Sequence, residues 1–316
     1  MRLFRRLAFA SALLAYALAT LGSWTRINGA GMACPDWPLC HGALVPALVG
    51  GVVLEWLHRA LALVVSVLVI VVIVAALRVR SHAPAVVPLV AALAAVIVLQ
   101  IALGGVTIFA SNSPPSVTTH WGTAMLLVAV LTALTVVGFF GSGSDRVVTW
   151  TASPNARPLL VTVAVAFATM CAGAYVSSSG AGLACPDFPA CGAPVLGPQV
   201  AQITHRILAT VFVIVAAASA VLVRRSARSS GGSAAEVAVG IGLVLLLLQF
   251  VLGVLNVVWL LPSFLREAHA ANASATFVAF VVALVLTNLR TGDAAFRFVP
   301  GKSDARSAAS AIPPHP

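Results

Sequence analysis

Seven histidines occur in the 316 residues, and four of them, His58, His120, His205 and His269, stand just inside the start of long apolar stretches. Ionisable side chains are costly in such stretches and mark function. Two imidazoles on facing helices can grip one metal centre between them. Paired imidazoles suit haem, whose iron takes them as axial ligands while apolar walls pack against the macrocycle. A zinc or di-iron site wants a third or fourth ligand, typically Glu-x-x-His on more than one helix. The other three, His41, His82 and His315, fall in loops or the tail and read as solvated.

Glu55 precedes His58 by three positions and shares its helix face, whereas Gln202 stands in that place before His205. A carboxyl beside one pair only can act as acid, base or stabiliser of positive charge; a plain interfacial Glu at a helix start is the alternative. On this reading the second half has no carboxylate at that depth. Arg59 and Arg206 each follow a histidine by one position. They are candidates for haem propionates, which suit the guanidinium fork, or for snorkelling to lipid headgroups. Cys34 and Cys40 flank PDWPL, and Cys185 and Cys191 flank PDFPA. Each pair reads as a structural disulfide or as a redox-active thiol pair. Cys171 reads as a core residue. Gln100, Gln249, Asn112 and Asn256 read as interhelical hydrogen-bonding groups.

These residues need elements to hold them. The chain is 60% hydrophobic and 8% charged, against roughly 45–50% and about 25% in ordinary globular domains. Apolar stretches fall near residues 7–25, 56–77, 85–110, 119–140, 158–178, 203–223, 236–260 and 268–289, each long enough to cross a lipid bilayer as a helix. The expected fold is therefore an all-α polytopic membrane protein with eight transmembrane helices. A net charge of +10 could suggest nucleic acid, but its placement excludes that reading. All Lys and Arg except Arg26, Arg59, Arg206 and Arg266 lie in alternate loops and the tails, the positive-inside pattern with both termini cytoplasmic. The start, MRLFRR before an apolar run, also resembles a cleaved signal peptide, but its removal would leave the second half without a counterpart.

That counterpart is an internal repeat. NGAGMACPDWPLC (Asn28–Cys40) recurs as SGAGLACPDFPAC (Ser179–Cys191) at an offset of 151, and His58-Arg59 recurs as His205-Arg206 at 147. The LQxxLG run Leu99–Gly104 recurs as Leu248–Gly253, and His120 as His269, both at 149. Four spans per unit preserve orientation, so two parallel-repeat four-helix bundles are expected: residues 1–145, residues 146–292, and a disordered cytoplasmic tail over 293–316.

With these motifs the chain resembles the haem A synthase family over all but its tail. The resemblance rests on eight spans in two homologous halves, Glu55-x-x-His58, His120, His205, His269 and the loop cysteines Cys34 and Cys40. It implies a plasma-membrane enzyme, multi-pass, that oxidises a methyl group of haem O to the formyl group of haem A. It further implies that His205 and His269 are axial ligands of a permanent haem b iron. His58 and His120 would then hold the substrate haem, with Glu55 catalytic, all near the extracytoplasmic face. Haem O synthase and a membrane electron carrier are the implied partners. Cys pairs occur in both halves here, and Cys185–Cys191 is assigned to folding. A di-haem b-type cytochrome is the first rival reading, and a repeat-built transporter with a histidine proton relay the second.

Overall fold

The computed structural model describes residues 1–141, 147–151, 153, 156–187, 191–192, 196–228 and 233–292. The expected tail and the expected boundary between the halves at residue 145 lie outside them. The described residues form helices α1 (Arg2–Ile27), α2 (Gly51–Arg78), α3 (Val86–Phe109), α4 (Pro114–Phe140), α5 (Ala156–Ser178), α6 (Gly197–Arg228), α7 (Ala234–Val258) and α8 (Ser263–Thr287). All eight are long and apolar enough to cross a membrane. They run from 23 to 32 residues, about 35–48 Å at 1.5 Å per residue, against a hydrocarbon core of about 30 Å. This is an all-α polytopic membrane protein.

The even-numbered helices begin five or six residues before the apolar stretches do. Their first turns are mixed in polarity, so hydropathy alone misses them. Pro114 and Pro115 open α4, where a missing N–H costs nothing, and Pro262 precedes α8. The four histidines are consequently the seventh to ninth residues of their helices, about 9–12 Å below the helix starts.

Helices α1 to α4 pack in a ring, α1 on α2, α2 on α3, α3 on α4 and α4 on α1; α5 to α8 repeat that order. The rings meet through α4 with α5 and α8, and α1 with α8. Close approach is possible because α1 buries a stripe of small residues, Ala8, Ser11, Ala15, Ala19 and Ser23, as helices in lipid commonly do. Facing outward, Leu63, Val67, Ile70 and Val74 of α2 and Val237, Ile241, Val244, Leu248 and Val251 of α7 are exposed. Water would penalise such stripes, whereas lipid does not.

One feature departs from the all-helical expectation. At the end away from the histidines, β1 (Val147–Trp150) pairs antiparallel with β2 (Leu289–Gly292), Val147 opposite Gly292 and Trp150 opposite Leu289. Val148 also exchanges backbone hydrogen bonds with the α2–α3 turn, its N–H donating to His82 (3.0 Å) and its carbonyl accepting from Ala85 (3.3 Å). This ribbon ties the link between the halves to the end of α8.

Candidate functional site

At the opposite end, here the loop end, Trp37, Pro38 and Cys40 of the α1–α2 loop and Gly180, Gly182 and Cys191 of the α5–α6 loop line the space that the histidines also face. His58 comes from α2 and His120 from α4, which sit diagonally across the first ring; His205 and His269 come from α6 and α8, diagonal in the second. Diagonal helices point their side chains at each other across the bundle interior. All four rings line one cavity of about 2150 Å³ that spans both halves. Pockets for a single small ligand hold about 300–1,000 Å³, so this void has room for two large ones.

The remaining helix of each neighbouring pair makes space with a glycine. A β-carbon on Gly22 of α1 would lie 2.6 Å from Cε1 of His58, and one on Gly173 of α5 2.9 Å from Cε1 of His205. On Gly253 of α7 it would lie 3.2 Å from Cε1 of His269, and on Gly104 of α3 3.5 Å from Cε1 of His120. Gly22 and Gly173 are repeat equivalents at the 151 offset, a signal visible in the sequence but absent from the motif reading. Gly104 and Gly253 close the LQxxLG runs already noted.

Hydrogen bonding around the two pairs differs. His205 Nδ1 lies 3.1 Å from the Thr169 carbonyl, and the carbonyl of Leu18, the repeat equivalent of Thr169, stands in the same relation to His58. The Gln249 amide nitrogen stands 3.1 Å from Nε2 of His269, and Asn272 fixes that amide by donating to its oxygen at 2.8 Å. In the first half Gln100 stands 3.4 Å from Nε2 of His120. There Thr123 occupies the place equivalent to Asn272, and the Gln100 oxygen is buried without a partner. The second pair is held by its surroundings more fully than the first. Asn112 and Asn256, by contrast, bond backbone carbonyls, those of Gly31 and Leu265.

Glu55 is buried and both its oxygens are engaged: Oε2 accepts from the Cys34 N–H at 2.8 Å, and Oε1 from Arg59 Nη2 at 2.6 Å. Arg59 spends its other terminal N–H groups on the carbonyls of Cys34 (2.9 Å), Asp36 (2.6 Å) and Leu39. Arg206 likewise donates to the carbonyls of Cys185 (2.8 Å) and Asp187 (2.9 Å). Sequence spacing suggested propionates or headgroups for these arginines; their partners here are the loops that carry the cysteines. Both cysteine pairs are joined, Cys34 to Cys40 and Cys185 to Cys191. The first loop is further set by Asp36, which accepts from the N–H groups of Gly42 (2.7 Å) and His41 (2.6 Å). The Gly42 hydrogen bond is the main reason its carboxyl sits below the ordinary carboxylate range. Trp37 reaches down from this loop into the cavity wall, its ring against Gly105 of α3.

A carboxylate does stand near this depth in the second half, contrary to the sequence reading: Glu267, two residues before His269. Two residues are about 200° of helix, so it faces away from the histidine pair, toward Ser23, Arg26 and Tyr16 of α1. Both its oxygens are buried, with the Ser23 hydroxyl as the neighbouring hydrogen-bonding group. Looking only for a copy of Glu55 at the 147 offset overlooked it. Cys171 is unpaired and packs beside Gly122. Among the described residues, no group of three or more His, Cys, Asp or Glu could hold a bare metal ion.

Fold and site together define a membrane-embedded helical bundle with two diagonal imidazole pairs opening on a shared apolar void. The model of the COX15-CtaA family, described as cytochrome oxidase assembly protein, matches residues 5–49 and 51–281, and the chain belongs to that family. It is 28% identical over 290 residues to a protein named heme A synthase from Geobacillus thermodenitrificans, covering 88% of this chain and 90% of the relative. A protein of the same name from Geobacillus kaustophilus is 28% identical over 301 residues, 92% of each chain. The Bacillus licheniformis heme A synthase is 26% identical over 172 residues, 54% of this chain and 57% of the relative.

Proposed function

We propose that this chain is a haem A-forming oxidoreductase that converts the methyl group of haem O to the formyl group of haem A in the plasma membrane, supplying a terminal oxidase. The observation that carries this reading is the inequality of two otherwise matched chambers: two diagonal imidazole pairs share one void, and only the first has a carboxylate, Glu55, on its wall. A di-haem electron carrier has no use for that difference. Membership of a cytochrome oxidase assembly family and the names of the relatives point the same way.

The chambers fit haem. Nδ1 of His120 and His269 is buried and unpartnered, the cavity wall is mainly apolar, and glycines hold open the space beside each imidazole. On this reading His205 and His269 hold haem b in the unit of residues 146–292, and haem O enters between His58 and His120 in the unit of residues 1–145. The assignment follows the hydrogen bonds: Gln249, itself held by Asn272, pre-sets the second pair for a resident group, while the looser first pair suits a guest that must leave. When bound, haem b would supply one-electron redox chemistry, with a membrane electron carrier as the acceptor. The loop end then faces outside the cell, where disulfides persist, with both termini and the arginine-rich turns in the cytoplasm.

Arg59 fixes the Glu55 carboxyl in place, so its oxygens can stabilise positive charge developing at the reacting methyl carbon, or take a proton from the incoming oxygen nucleophile. The Cys34–Cys40 loop, anchored on Glu55 and Arg59 and inserting Trp37, closes the chamber against water. Haem O would be delivered by haem O synthase within the bilayer.

The test is chemical. Coexpressed with haem O synthase, the chain should yield formyl-bearing haem A on pigment extraction and mass spectrometry; a pigmented protein that leaves haem O unchanged would mean the electron-carrier reading is right. A second prediction concerns the glycines. Gly173→Ala forces a β-carbon into the His205 ring, an overpacking cost of about 1–3 kcal/mol, and should lower the haem content of the purified protein severalfold. Gly104→Ala, whose β-carbon meets ordinary contact distance, should be tolerated. Equal haem content in both variants would remove the glycines from the site.

A further inference from the structure

The seam between the halves carries charge that the scheme above leaves unused. Arg26 of α1 and Arg266 of α8 both line the cavity and lie close enough for their charges to interact. Arg26 reaches across from the first half, donating to Ser177 of α5 through Nη2 (2.6 Å to Oγ) and Nη1 (3.3 Å to the carbonyl). The Arg266 guanidinium makes no hydrogen bond or ion pair among the described residues. Glu267 balances only one of the two charges, so the seam is left net positive where the cavity wall is mainly apolar.

Their helical registers say which chamber each serves. Arg266 precedes His269 by three residues and shares its face of α8, about one turn nearer the loop end. Arg26 follows by four the glycine that backs His58, again one turn nearer the loop end on the same face of α1. Neither has a copy in the other half: the repeat equivalents are Ser177 and Val117. The two cations are thus brought together only at the seam, and Arg59 and Arg206, the other guanidinium groups near the histidines, are bonded to loop carbonyls.

We propose that Arg26 and Arg266 form a carboxylate-binding site at the seam, Arg266 taking a carboxylate of the ligand held by His205 and His269 and Arg26 one of the ligand held by His58 and His120. This rests on the haem reading of the chambers, and it places the propionate edges of both tetrapyrroles toward the loop end, side by side at the junction of the halves. Guanidinium forks match carboxylates in shape and charge, and a low-dielectric wall strengthens the attraction.

The full-length apoprotein in detergent, prepared from haem-deficient cells, is titrated with iron protoporphyrin IX and with its dimethyl ester, which lacks the carboxylates, following the Soret band. Wild type should bind the free acid more tightly than the ester. Arg266→Gln should weaken the free acid about tenfold, as for loss of one charge-assisted hydrogen bond, and leave the ester unchanged, which also shows that the variant is folded. Arg266→Lys should restore part of the preference. Arg26→Gln should remove the same preference from the second equivalent bound. Equal weakening of both ligands by Arg266→Gln, or no weakening of either, overturns the proposal while leaving the haem reading standing. Failure of wild type to bind either porphyrin overturns both.

Discussion

Glu55→Gln should retain bound haem and lose the formyl product. The amide keeps the size of the side chain and one acceptor oxygen for the Cys34 N–H, but removes the charge that Arg59 holds in place. Acid–base and charge-stabilising groups contribute about 10²–10⁴-fold to rate, so haem A per bound haem should fall by at least about 100-fold, with haem content within about twofold of wild type. The measurement is mass spectrometry of porphyrins extracted after coexpression with haem O synthase. Because Glu55 also anchors the disulfide loop, Arg59→Gln is the necessary companion: it removes the guanidinium that holds three loop carbonyls while leaving a carboxylate in the chamber. Equal losses in the two variants would assign Glu55 to holding the loop. Haem A forming at the normal rate in Glu55→Gln would end its role in the reaction altogether.

The second large effect separates the chambers. His205→Ala or His269→Ala should abolish the low-spin haem b spectrum of the purified protein, a drop of more than about tenfold in bound pigment, since on the proposed reading each imidazole would supply one of the two ligands that hold the group. His58→Ala and His120→Ala should keep that spectrum and lose product. The inverse result, with pigment lost from the first-half variants, would exchange the roles of the halves without touching the fold. Retention of the spectrum in all four would remove these imidazoles from haem binding.

Much of the site was legible in the sequence because the repeat aligned it: a histidine beside an arginine twice, LQxxLG twice, a cysteine loop twice. Spacing fixed where those side chains lie along the membrane normal, but not where they point. Arg59 illustrates the gap. Its position beside His58 was clear, yet its partners are backbone carbonyls of Cys34, Asp36 and Leu39, and no hydropathy pattern reports a carbonyl's direction. Glu267 escaped for a different reason, since repeat logic draws attention to what recurs and this carboxylate replaces Thr118 of the first half. Arg26 and Arg266 were seen only as exceptions to a charge rule. The helix starts were set too late because mixed-polarity first turns look like loop. The β1–β2 ribbon was missed because four-residue strands take their conformation from a partner far along the chain, which local propensity does not register.

A void shared by two chambers links their occupancies. Among the described residues, the His58–His120 and His205–His269 pairs line one continuous cavity, so whatever sits beside one pair becomes part of the wall felt by the other. A resident group in the second half would narrow the room left in the first, giving an arriving tetrapyrrole a flat apolar surface to lie against. Such coupling runs equally in both directions by thermodynamic linkage: the guest must tighten the hold on the resident by the same factor that the resident helps the guest. On the proposed reading, departure of the finished product would leave the resident group bound less tightly until the next arrival.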